Sequence, residues 1–371
     1  MIYLDNASTT KPSKEAAEAV MTACESFGNP SSLHRLGLDA EKIITASKEA
    51  VAKVLGVDKK NIYFTSGGTE SNNTAIFGAA HANKKRGRHL ITTKIEHPSV
   101  LEPFKLLEKE GFELTFLDAD EDGKISLEQF EKALRPDTVL VSVMAVNNET
   151  GTIQPFGSLK EIMKKKSPNA LLHCDAVQGF CKVDIKPKKF GIDLMSVSGH
   201  KIHALKGVGA LYIADNIHIL PLVNGGGQQK NMRSGTENVP GIASLGAAVN
   251  SYKPIDKSVR TGLKNKLLEK IENISINGSD DNSGYVLNVS FPGIKAEILL
   301  HSLEAKGIYV STGSACSTNK PMPSHVLTAM GVPNENIKGA VRFSFSNEPF
   351  DAEFVAETVK TEVENIRKYV R

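Results

Sequence analysis

Seven short apolar runs alternate with helical patterns, and this alternation constrains the fold more than any other feature of the sequence. The runs lie at residues 62–65, 89–93, 114–117, 138–146, 170–174, 194–198 and 209–213. Their near-continuous apolar character is typical of strands that are covered on both faces, and strands that alternate with helices form parallel sheets. The sequence therefore predicts an α/β fold with a largely parallel seven-stranded sheet wrapped by helices.

Helical patterns precede this region, and a mixture of helices and strands follows it. A segment from Ser13 to about Cys24 and a second at about 38–55 predict two helices. After about residue 250 the patterns predict helices at 258–272 and 296–306, strands at 285–290, 308–310 and 341–345, and a closing helix. A chain of 371 residues suits two domains. We expect a large domain at 14–250 and a smaller α+β domain formed by 1–13 and 251–371.

The charged residues do not form the pattern of a nucleic-acid-binding protein. The 45 Lys and Arg residues against 42 Asp and Glu give a net charge of +3, which is weak and dispersed. The basic runs at 84–86 and 164–166 are interpreted as solvated helix ends and loops. No basic-then-apolar leader opens the sequence, and the apolar stretch at 139–146 is far shorter than a membrane span. We therefore expect a soluble, cytoplasmic protein with no nucleic-acid or membrane partner.

Two candidate metal sites fail on their spacing. The four cysteines contain no C-x-x-C pair, which argues against a zinc site and a disulfide framework. Residues 118–126 match the first two thirds of an EF-hand calcium loop, but Gln129 stands where calcium requires a bidentate glutamate. We interpret this segment as a polar turn in which Ser126 caps the next helix, and we expect no metal.

A glycine-containing turn after the first apolar run is a candidate phosphate site. The segment Thr65-Ser66-Gly67-Gly68-Thr69 follows a predicted strand and opens a helix, so unpaired backbone N–H groups converge there. It lacks both the lysine of a Walker loop and the pattern G-x-G-x-x-G. A plain tight turn is an equally open interpretation.

Further chemistry lies at the carboxyl ends of two later runs. Asp175 and Gln178 follow the run 170–174, and Ser198-Gly199-His200-Lys201 follow the run 194–198. A lone aspartate is more often a helix cap, but carboxyl ends of parallel strands meet at the edge where α/β folds bind ligands. Burial at that edge favours the neutral, nucleophilic amine of Lys201. An anion site, a carboxylate and an amine are what pyridoxal phosphate requires.

Six motifs resemble those of one enzyme family in their order and spacing. They are Glu96-His97-Pro98, Asn147-Asn148-Glu149-Thr150-Gly151, Asp175-Ala176-Val177-Gln178, Ser198-Gly199-His200-Lys201, Met232-Arg233-Ser234-Gly235-Thr236 and Gly313-Ser314-Ala315-Cys316. The chain resembles the cysteine desulfurases, the NifS/IscS-like branch of the class V aminotransferases, from Tyr3 to Arg342. The resemblance implies the fold type I of pyridoxal-phosphate enzymes and a homodimer.

The resemblance also implies a set of cofactor-binding residues. Lys201 would hold the cofactor covalently, Asp175 would pair with its pyridine nitrogen, and His97 would stack on its ring and move protons. The phenolic oxygen would be bound by Asn148 and Gln178. The phosphate would be bound by Gly68, Thr69, Ser198, His200 and, from the neighbouring subunit, Thr236.

The implied reaction is the conversion of L-cysteine to L-alanine with transfer of sulfur to Cys316 as a persulfide. Arg342 would clamp the substrate carboxylate and Asn148 would contact the substrate. Cys316 lies in a run of small residues at 311–318 that we expect to be a mobile loop, although a small buried thiol is the alternative. The acceptor implied by the family is an iron–sulfur scaffold or a relay for thio-cofactor or tRNA thiolation.

Other functions stay open at this stage. A selenocysteine lyase or an aminotransferase shares the fold, and an inactive sulfur carrier or scaffold has no need of the whole residue set. The chain also departs from many relatives, with Ala204-Leu205 where Gly-Pro is usual and Ser317-Thr318 in place of Thr-Ser. It ends at Arg371 without the longer tail that some members use to dock a scaffold, so the acceptor is left open.

Overall fold

The computed structural model describes residues 1–312 and 323–369. The strands are β1 (Ile2–Tyr3), β2 (Ile62–Thr65), β3 (His89–Thr93), β4 (Glu113–Leu117), β5 (Thr138–Met144), β6 (Leu171–Asp175), β7 (Leu194–Ser198), β8 (Gly209–Ile213), β9 (Ser275–Asn277), β10 (Val286–Ser290), β11 (Ile308–Tyr309) and β12 (Ala340–Ser344). The helices are α1 (Lys14–Glu25), α2 (Arg35–Leu55), α3 (Gly68–Asn83), α4 (Pro98–Lys109), α5 (Leu127–Ala133), α6 (Phe156–Lys166), α7 (Pro187–Phe190), α8 (Val239–Ser251), α9 (Ser258–Lys270), α10 (Ala296–Ala305), α11 (His325–Ala329), α12 (Asn334–Lys338) and α13 (Ala352–Tyr369).

The central sheet has seven strands in the order β2-β8-β7-β6-β5-β3-β4. Strands β4, β3, β5, β6 and β7 are parallel to one another, whereas β8 runs antiparallel to both of its neighbours. Strands β3, β5, β6, β7 and β8 are buried along their whole length, because helices cover both faces. This arrangement confirms the predicted fold class.

The predicted element boundaries hold to within a few residues. Helix α1 begins after Ser13, whose side chain accepts a hydrogen bond from the Ala16 amide, and Ser126 caps α5 in the same way, as the sequence predicted. Helix α2 begins three residues before its predicted start because the imidazole of His34 accepts from the Gly37 amide. A histidine cap is uncommon, so the sequence offered no helix-start signal there.

A second, smaller sheet lies in the C-terminal third of the chain. Strands β12, β10 and β9 form an antiparallel sheet, and β1 pairs with β11. Leu4 and Ala7 pack in the same hydrophobic cluster as Leu287, Phe343 and other residues beyond position 254. This packing supports the proposed division into residues 14–250 and residues 1–13 with 251–371. In the part of the chain that the structure describes, no helix combines the length and apolar character that crossing a membrane requires.

His173 is buried in the middle of the central sheet as a neutral imidazole. It lies on β6 between the hydroxyl oxygens of Ser142, 2.8 Å from Nδ1, and Ser196, 3.0 Å from Nε2. Burial lowers its pKa to about 3, because a charged ring would have no water or carboxylate to stabilise it.

We expect this histidine to make the fold sensitive to acid. Below about pH 6.5 the unfolded chain binds a proton that folded His173 excludes. The free energy of unfolding therefore decreases as the pH is lowered, by up to about 1.4 kcal/mol per pH unit. Urea unfolding across this range should give a shallower pH slope for His173→Asn than for wild type. The exposed His218, changed to Asn, is the matched control and should leave the slope unchanged. Equal slopes for wild type and His173→Asn would contradict the prediction.

Candidate active site

A cavity of about 440 Å³ opens at the carboxyl ends of the parallel strands. A cavity of this size accommodates a small cofactor together with an amino acid. Its wall contains every described residue that the sequence analysis assigned to the site except Thr236: Gly68, Thr69, His97, Asn148, Asp175, Gln178, Ser198, His200, Lys201 and Arg342. These residues come from strand β12, from the ends of β6 and β7, and from the segments that follow β2, β3, β5, β6 and β7, so it is the fold that brings them together.

One end of the cavity is the N-terminus of α3. Gly67 precedes this helix without a side-chain cap, and the first amides of a helix have no acceptor within it. A Cβ on Gly68 would come within 2.7 Å of the Val177 side chain, and a Cβ on Gly209 would lie 2.7 Å from the Gly67 Cα. The two glycines therefore allow a close approach that leaves the helix end open to the cavity. Of the two open interpretations, this geometry favours an anion site over a plain turn.

Asp175 also lines the cavity, and each of its carboxylate oxygens accepts a hydrogen bond. It is the last residue of β6 and is 4% exposed. Its Oδ1 accepts from the Val177 amide at 2.9 Å, and its Oδ2 accepts from Nδ2 of Asn72 at 2.8 Å. Sequence reasoning missed Asn72, because the two residues are 103 positions apart and no local pattern joins them.

Asn72 also connects Asp175 to His97. Nδ2 of Asn72 donates to Oγ of Ser99 at 2.9 Å, and that hydroxyl lies 2.8 Å from Nδ1 of His97. Because the Ser99 amide also donates to Nδ1, the proton of the neutral ring is on Nε2. Burial lowers the pKa of His97, and the positive charge of Lys201 adds to this effect, so the imidazole is neutral near pH 7.

Lys201 lies in a short helical turn directly after β7. Its Nζ donates to the carbonyl oxygens of Ala7 at 2.7 Å and Ser8 at 2.6 Å. The same Ala7 oxygen accepts from Nε2 of Gln178 at 2.8 Å. The N-terminal turn, residues 5–10, thus forms part of the cavity wall. The sequence analysis placed this segment in the smaller domain and assigned it no role in the site.

Two further basic side chains beside the cavity are held in their neutral forms or close to neutrality. Burial, followed by the charge of Lys201, lowers the pKa of His200 to about 4 and that of Lys182 to about 7. His200 shares a hydrogen bond with Thr9, and Lys182 donates to Oε1 of Gln178 at 3.2 Å. Burial and the ammonium of Lys201 therefore both disfavour a positive charge on these two neighbours of Lys201.

Arg342 extends from β12 into the cavity wall and is 3% exposed. Its NH1 donates to the Asn148 carbonyl at 2.9 Å, and its NH2 donates to Oδ1 of Asp5 at 3.0 Å and Oγ of Ser8 at 2.6 Å. Its Nε is buried with no acceptor among the described residues. The described residues therefore accept three of the five N–H groups of the guanidinium and leave its buried Nε without an acceptor.

Cys316 lies outside the described residues, and so do positions 313–318 of the predicted mobile loop. The described chain stops at Thr312 and resumes at Pro323. Ser311 pairs with Arg342 through two backbone hydrogen bonds, and Oγ of Ser324 donates to Oε2 of Glu149 at 2.6 Å. The ten residues 313–322 therefore connect two points that are fixed beside Arg342 and Asn148.

The turn after β7 is held by hydrogen bonds although Ala204-Leu205 stands where many relatives have Gly-Pro. The Ala204 amide donates to the Gly199 carbonyl at 3.1 Å, and the Leu205 amide donates to Oγ of Ser244 at 3.3 Å. Thr236, by contrast, is exposed and does not line the cavity of the single chain.

Comparisons with known proteins point in one direction. The family model "Aminotransferase class-V" matches residues 2–353. The chain is 45% identical to "Cysteine desulfurase IscS" of Methanosarcina thermophila, over 99% of this chain and 93% of that protein. It is 41% identical to "Putative cysteine desulfurase IscS 1" of Bacillus subtilis, over 100% and 98%.

Solved structures are similar over the same extent. A structure titled "NIFS-LIKE PROTEIN" superposes with a TM-score of 0.87 at 37% identity, covering 100% of this chain and 99% of the other. One titled "SspA in complex with cysteine" superposes with a TM-score of 0.85 at 36% identity, covering 93% and 99%.

Proposed function

Because the chain belongs to the class V aminotransferases and, within them, to the cysteine desulfurases, we propose that it converts L-cysteine to L-alanine and receives the sulfur on Cys316 as a persulfide. One observation carries the assignment of roles. The cavity holds Lys201, Asp175 and Arg342, and the described residues on either side of the Cys316 segment are bonded to Arg342 and to Glu149, the neighbour of the cavity residue Asn148. A desulfurase needs those two parts within reach of each other.

The donor set of the cavity fits pyridoxal phosphate. The open N-terminus of α3 suits a phosphate, and the buried carboxylate of Asp175, which lines the same cavity, suits a protonated pyridine nitrogen. Thr69, Ser198 and His200 would complete the phosphate site, while Gln178 and Asn148 would contact the phenolic oxygen. When bound, the cofactor supplies a carbonyl carbon for the substrate amine and an electron-withdrawing ring that acidifies the α-carbon.

Asp175 and His97 would orient the ring of the cofactor. Asn72 and the Val177 amide hold both carboxylate oxygens of Asp175, so this carboxylate is fixed in position for a cationic partner. His97, fixed through Ser99, would present a flat neutral ring whose Nε2–H faces away from its bonded side. His97 would thereby stack on the ring and pass a proton at Nε2.

Arg342 and Lys201 would act on the substrate itself. The guanidinium of Arg342 would bind the α-carboxylate, with the Asn148 side chain beside it. The Lys201 amine, once released from the cofactor, would carry the α-proton at Nζ. The Ala7 and Ser8 carbonyl oxygens would hold the resulting ammonium in place.

Sulfur transfer would be a displacement at the substrate sulfur. The Cys316 thiolate attacks that sulfur, an S–S bond forms while the Cβ–S bond breaks, and the electron pair of the broken bond stays with the substrate carbon. A proton then completes the methyl group of alanine, and Cys316 is left as a persulfide. A reductant or an acceptor thiol releases the sulfur and restores the thiol.

The test of this function is a product balance. Purified holoenzyme incubated with cysteine and a reductant should yield alanine and sulfide in equal amounts. Pyruvate in place of alanine would indicate a different reaction, and sulfide without alanine would exclude the proposal. Offering selenocysteine in a parallel assay distinguishes a desulfurase from a selenocysteine lyase.

We also propose that the protein acts as a homodimer. Thr236, which would reach the phosphate of the neighbouring subunit, is exposed in the single chain. Large apolar side chains between the end of α1 and the start of α2 are exposed as well: Met21, Phe27, Leu33, Leu36 and Leu38. A second copy would bury such a surface. Sedimentation at low protein concentration should give twice the monomer mass.

The proposal also covers the sulfur acceptor and the cellular compartment of the protein. The name IscS carried by the relatives supports an iron–sulfur scaffold or a relay for thio-cofactor or tRNA thiolation as the sulfur acceptor. Free thiols persist in a reducing compartment, which supports a cytoplasmic location.

A further inference from the structure

Arg342 already has a carboxylate partner within the protein. Oδ1 of Asp5 lies 3.0 Å from its NH2, and Oγ of Ser8 lies between the two groups, accepting from NH2 and donating to Oδ1 at 2.8 Å. Arg342 is 4% exposed and Asp5 is 22% exposed at their side chains. The pair is therefore a shielded, hydrogen-bonded contact, and a change of charge within it has a larger effect than at the open surface.

The pair restricts how a substrate carboxylate can bind. One N–H of NH1 is bonded to the Asn148 carbonyl and NH2 donates to Asp5 and Ser8, while the buried Nε has no acceptor among the described residues. Asp5 and Ser8 line the same cavity as Arg342. The fixed plane of the guanidinium aligns an anion that approaches it. The negative charge of Asp5 repels the same anion.

We propose that Asp5 is a positioning and specificity-determining residue that fixes the guanidinium of Arg342 and weakens its affinity for the amino-acid carboxylate. The inference rests on the proposed function, in which Arg342 binds that carboxylate. A fully charged, unpaired arginine would hold substrate and product equally tightly, and uniform binding does not accelerate a reaction. The Asp5 charge lowers the affinity for alanine and so favours its release.

The substitution Asp5→Asn separates the effect of the Asp5 charge from that of its hydrogen bonds. Asparagine keeps an oxygen that can accept from Arg342 and Ser8, but it removes the negative charge. We expect alanine to bind the Asp5→Asn holoenzyme about 5- to 10-fold more tightly than wild type, the effect of removing one partly screened like charge. Alaninamide, which has no carboxylate, should change by less than about twofold, and KM for cysteine should fall in step with the alanine constant.

Calorimetric titration of alanine and alaninamide into the holoenzymes measures these constants directly. The matched control is Asp280→Asn, which removes the same charge from a cluster with Lys264 and Arg260 that does not line the cavity, and it should leave the binding of both ligands unchanged. Unchanged or weaker alanine binding in Asp5→Asn would overturn the proposal, and so would equal tightening for alaninamide. If wild type makes no alanine and sulfide from cysteine, the proposed function fails, whereas an active wild type without the Asp5 effect rejects this inference alone.

Discussion

Replacing Cys316 with alanine should abolish sulfide production while the cofactor stays bound. We expect the rate to fall by at least about 1,000-fold, the scale on which loss of a nucleophile acts. The substitution leaves Gly68, Asp175 and Lys201 of the cavity wall unchanged, so the visible absorbance of the bound cofactor should also be unchanged. An assay for sulfide with an absorption spectrum of the same sample measures both effects.

The other cysteines are poor substitutes for Cys316. Burial raises the pKa of the Cys181 thiol to about 12, and burial with the charge of Asp175 raises that of Cys174 as well, so neither supplies a thiolate near pH 7. Cys24 is exposed and does not line the cavity, so Cys24→Ala is the matched control and should keep full activity. Sulfide production by Cys316→Ala at the wild-type rate would show that the nucleophile is wrongly assigned.

Replacing Lys201 with alanine should remove both turnover and covalent attachment of the cofactor. We expect activity to fall by at least about 1,000-fold, because the same amine holds the cofactor and moves the α-proton. The visible band of the attached cofactor should disappear from the spectrum. Persistence of that band in Lys201→Ala would contradict the assignment.

Two neighbouring lysines make the test specific. Lys206 is exposed on the same connection, so Lys206→Ala should keep the band and the activity. Lys182 has a pKa lowered to about 7, but its amine is bonded to Gln178 and does not line the cavity. We therefore do not expect it to replace Lys201.

The sequence was sufficient for the sheet and for most of the cavity. Hydrophobic runs identify strands that are buried along their whole length, as in a parallel sheet. Residues that end such strands, for example Asp175 and Ser198, then lie together at the carboxyl edge of the sheet. Strand β9 escaped prediction because its three residues include only one apolar side chain, Ile276. Periodicity cannot identify a strand as short and polar as this one.

The contacts that hold the site in position could not be predicted. Asn72 reaches Asp175 across 103 positions, and Asp5 reaches Arg342 across 337. A local pattern contains no information on such pairs, since each is created by the packing of separate elements. The orphan Nε of Arg342 is likewise visible only once its neighbours are in place.

The bond between Asp5 and Arg342 joins residues that are synthesised 337 positions apart. A ribosome must therefore release Arg342 before this wall of the pocket can close, and non-local closure of this kind is slow. Binding of pyridoxal phosphate would then require chains extended past Arg342, and fragments arrested before that residue would be unable to take part in sulfur chemistry.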